Sequence, residues 1–213
     1  INKALVIDGI DKKAKIIGDG KGSVISIKKS NVVIKNLSIE NSGFSVEKID
    51  SAIHAKEVNN ITIENNHISD SLFGINFEQV NRSKIVDNFI TSKDLELGIR
   101  GDGIRLWNSH DNQLFANRLY KSRDFVLWYS SGNNIENNYG SYNRYSLHFM
   151  YAGRNMVRNN FFEYNSVGIF FMYSSGTIAI GNTVKNSLGA FGVGIGMKDS
   201  SDFTLLENNL IYN

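Results

Sequence analysis

The stretch that decides the fold is IENNYG at residues 135–140, because it is one copy of a word that recurs along the chain. The word is an apolar residue, two polar residues, Asn, one variable residue and an apolar residue. It reads IENNHI at 63–68, IVDNFI at 85–90, LFANRL at 114–119, VRNNFF at 157–162 and LENNLI at 206–211, with a weaker copy, AIGNTV, at 179–184. The shared Asn falls at 66, 88, 117, 138, 160, 182 and 209, in steps of 22, 29, 21, 22, 22 and 27. A step near 22 is short for two helices and a turn, and its interior alternates with period two, so stacked strands are implied. One coil cannot bury its apolar side alone, whereas stacked coils bury a continuous core. Asparagine suits a sharp corner because it tolerates left-handed backbone, and its amide can bond to the Asn of the next coil as a ladder. The expected fold is an all-β, single-stranded, right-handed parallel β-helix of about 22 residues per coil, one domain over 1–213 and the core of a longer protein.

A second word follows in the same register: Ala52-Ile53-His54-Ala55, Gly74-Ile75-Asn76-Phe77, Gly103-Ile104-Arg105-Leu106, Phe125-Val126-Leu127-Trp128, Ser146-Leu147-His148-Phe149, Gly168-Ile169-Phe170-Phe171 and Gly194-Ile195-Gly196-Met197. Its second and fourth positions are expected to face inward, placing Trp128, Phe149, Phe171 and Met197 in the core stack. The longer coils carry their extra residues between the Asn corner and this strand, at 42–51, 91–101 and 187–193. All three insertions therefore project from one corner. Those at 91–101 and 187–193 are expected to wall a shallow cleft whose floor is the outer face of the strands entered at 125, 146 and 168.

The third and fifth positions of the second word are expected on that floor: Arg105 and Trp107, Leu127 and Tyr129, His148 and Met150, Phe170 and Met172, Gly196 and Lys198. Large apolar and aromatic residues where strands normally present Thr, Lys or Glu mark a contact surface. His148 and Met150 share a face, and Met172 follows Met150 by one coil, which sets the thioethers about 4.8 Å apart across the ladder. Imidazole and thioether together favour monovalent copper. The bland alternative is a greasy docking patch, and a partner docking over a transient metal site satisfies both. His54, His67 and His110 read as solvated side chains and Met156 as packing.

Composition excludes several classes. Basic and acidic residues number 23 and 21 and are interspersed, so no nucleic-acid footprint exists. With no cysteine, disulfides, thiol nucleophiles and iron–sulfur clusters are out. The absence of proline suits strands paired on both sides. No run reaches the roughly 18 apolar residues of a membrane span, and the first residues lack a secretory-signal pattern. Among β-helices the natural rival is a polysaccharide-cleaving or carbohydrate-binding protein. Glycoside hydrolysis usually needs two carboxyl groups flanking the sugar, and no carboxylate stands at an outward position from 127 to 172. Asp102, Asp124 and Asp199 sit near strand ends, out of register. The Asn-Thr-Asp, Asp-Asp and Gly-His-Gly words of polygalacturonases, the Asp-Pro-His-Asp word of mannuronan epimerases and a P-loop are missing.

At 101–213 the chain resembles a known family. GDGIRLWNS (101–109), RDFVLWYS (123–130), RYSLHFMY (144–151), VGIFFMYS (167–174) and GVGIGMKDSSDFTLLENNLIYN (192–213) look like successive coils of NosD, the periplasmic copper-binding maturation factor of nitrous oxide reductase. LVIDG (5–9), NVVIKNLSIENSG (31–43) and DSLFGI (70–75) extend the resemblance. It implies a non-enzymatic periplasmic protein that handles copper as Cu(I). It also implies partnership with the ATPase and membrane subunits of an ABC transporter, with a copper chaperone lipoprotein and with apo nitrous oxide reductase. The candidate copper ligands are His148, Met150 and Met172. The candidate partner-binding residues are Arg105, Trp107, Leu127, Tyr129, Tyr151, Phe170 and Tyr173.

Overall fold

The computed structural model describes residues 1–10, 13–189, 192–199, 205–207 and 209–212. Its strands form three all-parallel sheets, two of nine strands and one of eight. Each strand pairs with its counterpart one coil away, Ile135 with Leu114 and Val157 for example. The chain is thus a right-handed parallel β-helix. Every coil runs through the three sheets in the same order, and the front sheet is formed by the second word of each coil: Ile25–Ile27, Ser51–Lys56, Phe73–Glu78, Ile104–Trp107, Asp124–Trp128, Tyr145–Met150, Val167–Met172 and Val193–Lys198.

The core consists of like residues stacked coil on coil. In the front sheet Phe77, Leu106, Leu127, Phe149 and Phe171 form one column, all fully buried, and the Phe149 and Phe171 rings stack at 5.1 Å. Met197 continues that column opposite Phe171 but is 40% exposed, so it is not in the buried core stack the alternation led one to expect. Gly140 sits between Leu119 and Phe162 in another sheet. A Cβ there would stand 3.1 Å from the Phe162 ring, so the small residue makes room for the large one above it.

The asparagine word has two jobs on two residues. The repeated Asn builds the ladder: Asn66, Asn88, Asn117, Asn138, Asn160 and Asn182, all buried, each donate an amide hydrogen bond to the next, at 2.9–3.0 Å, ending on Asn209. The left-handed turn falls on the residue before it, namely Asn65, Asp87, Ala116, Asn137, Asn159 and Gly181, with φ between 53° and 65°. Each ladder amide satisfies three coils. Asn138 Nδ2 donates to Leu114 O one coil back and to Asn160 Oδ1 one coil on, while its Oδ1 accepts from the backbone N–H of Asn117. Other corners repeat the device with Asn112, Asn133 and Asn155, and with Asn143 and Asn165.

The insertions at 42–51, 91–101 and 187–193 lie where expected, between the strand after the Asn corner and the front sheet; residues 190 and 191 are outside the described set. Leu97–Ile99 forms a 3₁₀ turn in the second of them.

Removing a ladder amide strands several buried groups, each costing about 1–3 kcal/mol. Asn138→Ala is therefore expected to cost about 2–4 kcal/mol. Asn137→Gly, at a left-handed position glycine adopts freely, should change stability by less than about 0.5 kcal/mol. Denaturant titration of the two variants checks the contrast.

Candidate metal and docking face

The outer side of the front sheet carries two rows. One reads Ser26, His54, Asn76, Arg105, Val126, His148, Phe170 and Gly196. The other reads Lys56, Glu78, Trp107, Trp128, Met150, Met172 and Lys198. Past the second row the chain turns at Tyr129, Tyr151 and Tyr173, all left-handed, with φ of 50–51°.

This register corrects the expectation for 125–128. Phe125 pairs with Ile104 and Leu127 with Leu106, so Phe125 and Leu127 face inward and Trp128 faces out. Leu127 is fully buried and cannot bind a partner; Trp128 takes its place. This coil is one residue shorter than the next, and the missing residue re-enters as a register shift between Asp124 and Val126 against Tyr145 and His148. Tyr129 accordingly belongs with Tyr151 and Tyr173 at the corner.

Aromatic rings make a continuous ladder. Trp107 meets Trp128 edge-on at 5.2 Å and Tyr129 at 5.3 Å. Tyr129 stacks on Tyr151 at 5.3 Å and Tyr151 on Tyr173 at 4.8 Å. The three tyrosines are exposed by 48%, 48% and 37%, an apolar edge of the kind that interfaces use. Arg105 lies across Trp107 and Trp128, its guanidinium carbon 5.1 and 5.3 Å from the ring centres. Burial lowers its pKa below the ordinary guanidinium value.

Met150 and Met172 are direct register partners, half-buried beside Trp128. His148 stands in the neighbouring row, with Phe170 one coil on. Its ring stacks on Tyr145 at 4.6 Å, and its Nδ1 lies 3.9 Å from Asp124 Oδ2. Tyr145 and Asp124 open their strands and Met150 closes its own, so the imidazole leans away from the thioethers. His148 is 7% exposed, and neither ring nitrogen has a hydrogen-bond partner. Among the described residues no three His, Asp or Glu side chains converge on a metal position.

Behind His148 lies a charge cluster that the sequence reading left apart. Asp102 pairs with Arg123 at 3.1 Å, and Asp124 is gripped by both Nε and Nη2 of Arg144. Both carboxylates are 2% exposed. Burial pushes Asp102 up to about 7, helped by the negative charge of Asp124 and opposed by Arg123. Burial would also raise Asp124, but contacts with His148 and Arg144 outweigh it and hold the carboxyl below 3.8. At 3.9 Å the His148 contact is too long for a hydrogen bond, so Arg144 is the firm partner. The two aspartates act as charge neighbours on successive coils, and arginine occupies both.

The fold and this face define a cysteine-free binding solenoid with thioether and aromatic side chains on one wall. Residues 93–213, more than half of the chain, match the family described as "Periplasmic copper-binding protein (NosD)", and the chain belongs to that family. Among solved structures it is similar to the alginate lyase from Paenibacillus sp. str. FPU-7, at 15% identity and a TM-score of 0.75, over 94% of this chain and 78% of that one. It also aligns with the A-module of the Azotobacter vinelandii mannuronan C-5 epimerase AlgE4, at 16% identity and a TM-score of 0.47, over 98% and 76%. At such identities the likeness is one of fold. No curated protein sequence matches the chain at a significant level.

Asp102 gives the face a pH signature. Its folded value of about 7 exceeds the ordinary 3.8, so between those values the folded protein holds a proton that the unfolded chain releases. Stability from this group is therefore fully present below about pH 4 and lost as the pH rises through about 7. Asp124 has the opposite sign and weakens the fold only below its ordinary value. Asp102→Asn should flatten the decline in denaturation midpoint across that window, and an unchanged slope would remove the assignment.

Proposed function

We propose that this protein is a non-enzymatic periplasmic carrier that receives copper as Cu(I) and helps place it in the copper centres of nitrous oxide reductase. The observation that carries the reading is the register pairing of Met150 with Met172 inside a span that matches a copper-binding family. Thioethers select soft Cu(I) over hard cations. Two such ligands with an imidazole nearby hold the ion loosely enough for release. His148 completes the set by swinging its unbonded ring away from Asp124. The aromatic edge of Trp107, Trp128, Tyr129, Tyr151 and Tyr173, with Phe170 and Arg105 beside it, is the surface on which the apo reductase docks. In this reading a copper chaperone lipoprotein supplies the ion, and the ATPase and membrane subunits of an ABC transporter drive the exchange. No helix among the described residues is long and apolar enough to cross a membrane.

Two measurements test this. Competition titration of Cu(I) into Met150→Leu/Met172→Leu, which preserves side-chain volume, should show affinity lower by at least about tenfold, or about 1.4 kcal/mol. Equal affinity would take the thioethers out of the metal site. Trp107→Ala/Tyr151→Ala should weaken capture of apo nitrous oxide reductase by about tenfold while leaving the Cu(I) titration unchanged; unaltered capture would move the docking surface elsewhere.

A further inference from the structure

The same outer wall changes character toward its N-terminal end, before the span that matches the copper-binding family begins at residue 93. There the insertion at 42–51 contributes Lys48 and Asp50 to a groove of about 580 Å³ that is also lined by Ser23, Ser26, Lys28, His54, Lys56 and Glu57. The insertion is clamped in place. Gly43 N–H donates to Gly22 O at 2.8 Å, and a Cβ on Gly43 would lie 2.1 Å from Asp50 Oδ2 and 2.6 Å from Gly22 N. The groove wall is therefore built into the backbone.

Charge in the groove is unevenly spent. Lys56 is neutralised by Glu78 at 2.7 Å, and Asp50 is 5% exposed and accepts from Ser45 N–H at 2.9 Å. Lys28 and Lys48 are exposed and, among the described residues, have no carboxylate within 4.0 Å, while Glu57 adds one exposed carboxylate to the lining. His54 is oriented by a chain of bonds: Arg105 Nη1 donates to Asn76 Oδ1 at 2.9 Å, which turns Asn76 Nδ2 toward His54 Nδ1 at 3.3 Å. With Nδ1 accepting, the neutral imidazole carries its proton on Nε2. That nitrogen is 4.0 Å from Glu78 Oε2, too far to bond, so its N–H is open to a ligand. Burial, the largest influence, keeps His54 below its ordinary 6.5 and hence neutral at pH 7.

We infer that this groove binds an acidic oligosaccharide, with Lys28 and Lys48 holding its carboxylates and Ser23, Ser26 and His54 Nε2–H meeting its hydroxyls. A sugar fits better than an acidic peptide because the groove offers side chains and no strand edge to extend: Ser51–Lys56 is paired on both sides, so a peptide gains no backbone ladder there. The site is separate from Met150 and Met172 and stands or falls independently of the copper reading.

Calorimetric titration of the whole chain with an oligouronate, a neutral oligosaccharide of equal length and a polyglutamate peptide of equal charge tests the inference. The oligouronate should bind, more weakly at higher salt, and Lys28→Ala/Lys48→Ala should lose at least about tenfold in affinity with unchanged Cu(I) affinity and melting temperature. His54→Gln, which keeps a donor, should retain more affinity than His54→Ala. No heat from the oligouronate at millimolar concentration, equal binding by the double-lysine variant, or equal binding of the neutral sugar or the peptide would each overturn it.

Discussion

Everything on the outer wall depends on the rung-on-rung registry of the coils, and the buried asparagine ladder is what makes that registry stiff. Backbone pairing alone lets one strand slip along the next, and a one-residue slip would send every core residue to the outside. An amide that must satisfy three coils at once has only one register in which it can do so. Asn138 holds Leu114 O, Asn160 Oδ1 and Asn117 N–H together. Any slip leaves several buried polar groups without partners. Because the ladder is continuous from Asn66 to Asn209, the positions of side chains on successive coils are fixed relative to one another along most of the described chain.

That stiffness turns a sequence period into a surface. Residues one coil apart become neighbours about 4.8 Å apart, so a row on the wall has the chemistry of whichever residues the coils supply. From Lys56 and Glu78 to Trp107 and Trp128, and then to Met150 and Met172, the row passes from charged to aromatic to thioether. Arg105 marks the boundary, with its hydrogen bond on the polar side at Asn76 and its charge spread over Trp107 and Trp128 on the other. One wall thereby carries two surface chemistries, charged at one end and aromatic and thioether at the other.

The period, the parallel sheets and the corner from which the insertions project were legible in the sequence because each has a marker: the Asn word, the alternation and the changes in coil length. The frame at 125–128 had no marker. Phe125, Val126, Leu127 and Trp128 are all apolar, so neither parity carries a polar residue to show which side is wet, and alignment to the following coil imposed the wrong one. The division of labour in the Asn word was hidden for a related reason. Asn is favoured both at left-handed corners and in ladders, and in copies such as Asn65-Asn66 and Asn137-Asn138 it fills both positions. Only Ala116 and Gly181, which cannot ladder, reveal that the turn comes first. Asp102, Asp124, Arg123 and Arg144 were visible as charges, but their convergence behind His148 depends on a bulge that no spacing rule encodes.

Among the described residues, two side chains on the wall leave buried polar atoms without a hydrogen-bond partner, His148 at both ring nitrogens and Trp128 at its indole N–H. A buried imidazole with both ring nitrogens unbonded gives up hydration without recovering it, a penalty of about 1–3 kcal/mol for each unsatisfied group. The ladder amides and the paired aspartates, by contrast, are satisfied. With two unbonded nitrogens against the single one of Trp128, and standing one row from the thioethers, His148 has more to gain from a ligand than Trp128 does. The frame is stiff and the histidine is the under-committed part. In the proposed copper reading, ion uptake would need only a side-chain rotation with no rearrangement of the coils, and a loosely held ion would suit a carrier that has to surrender its cargo.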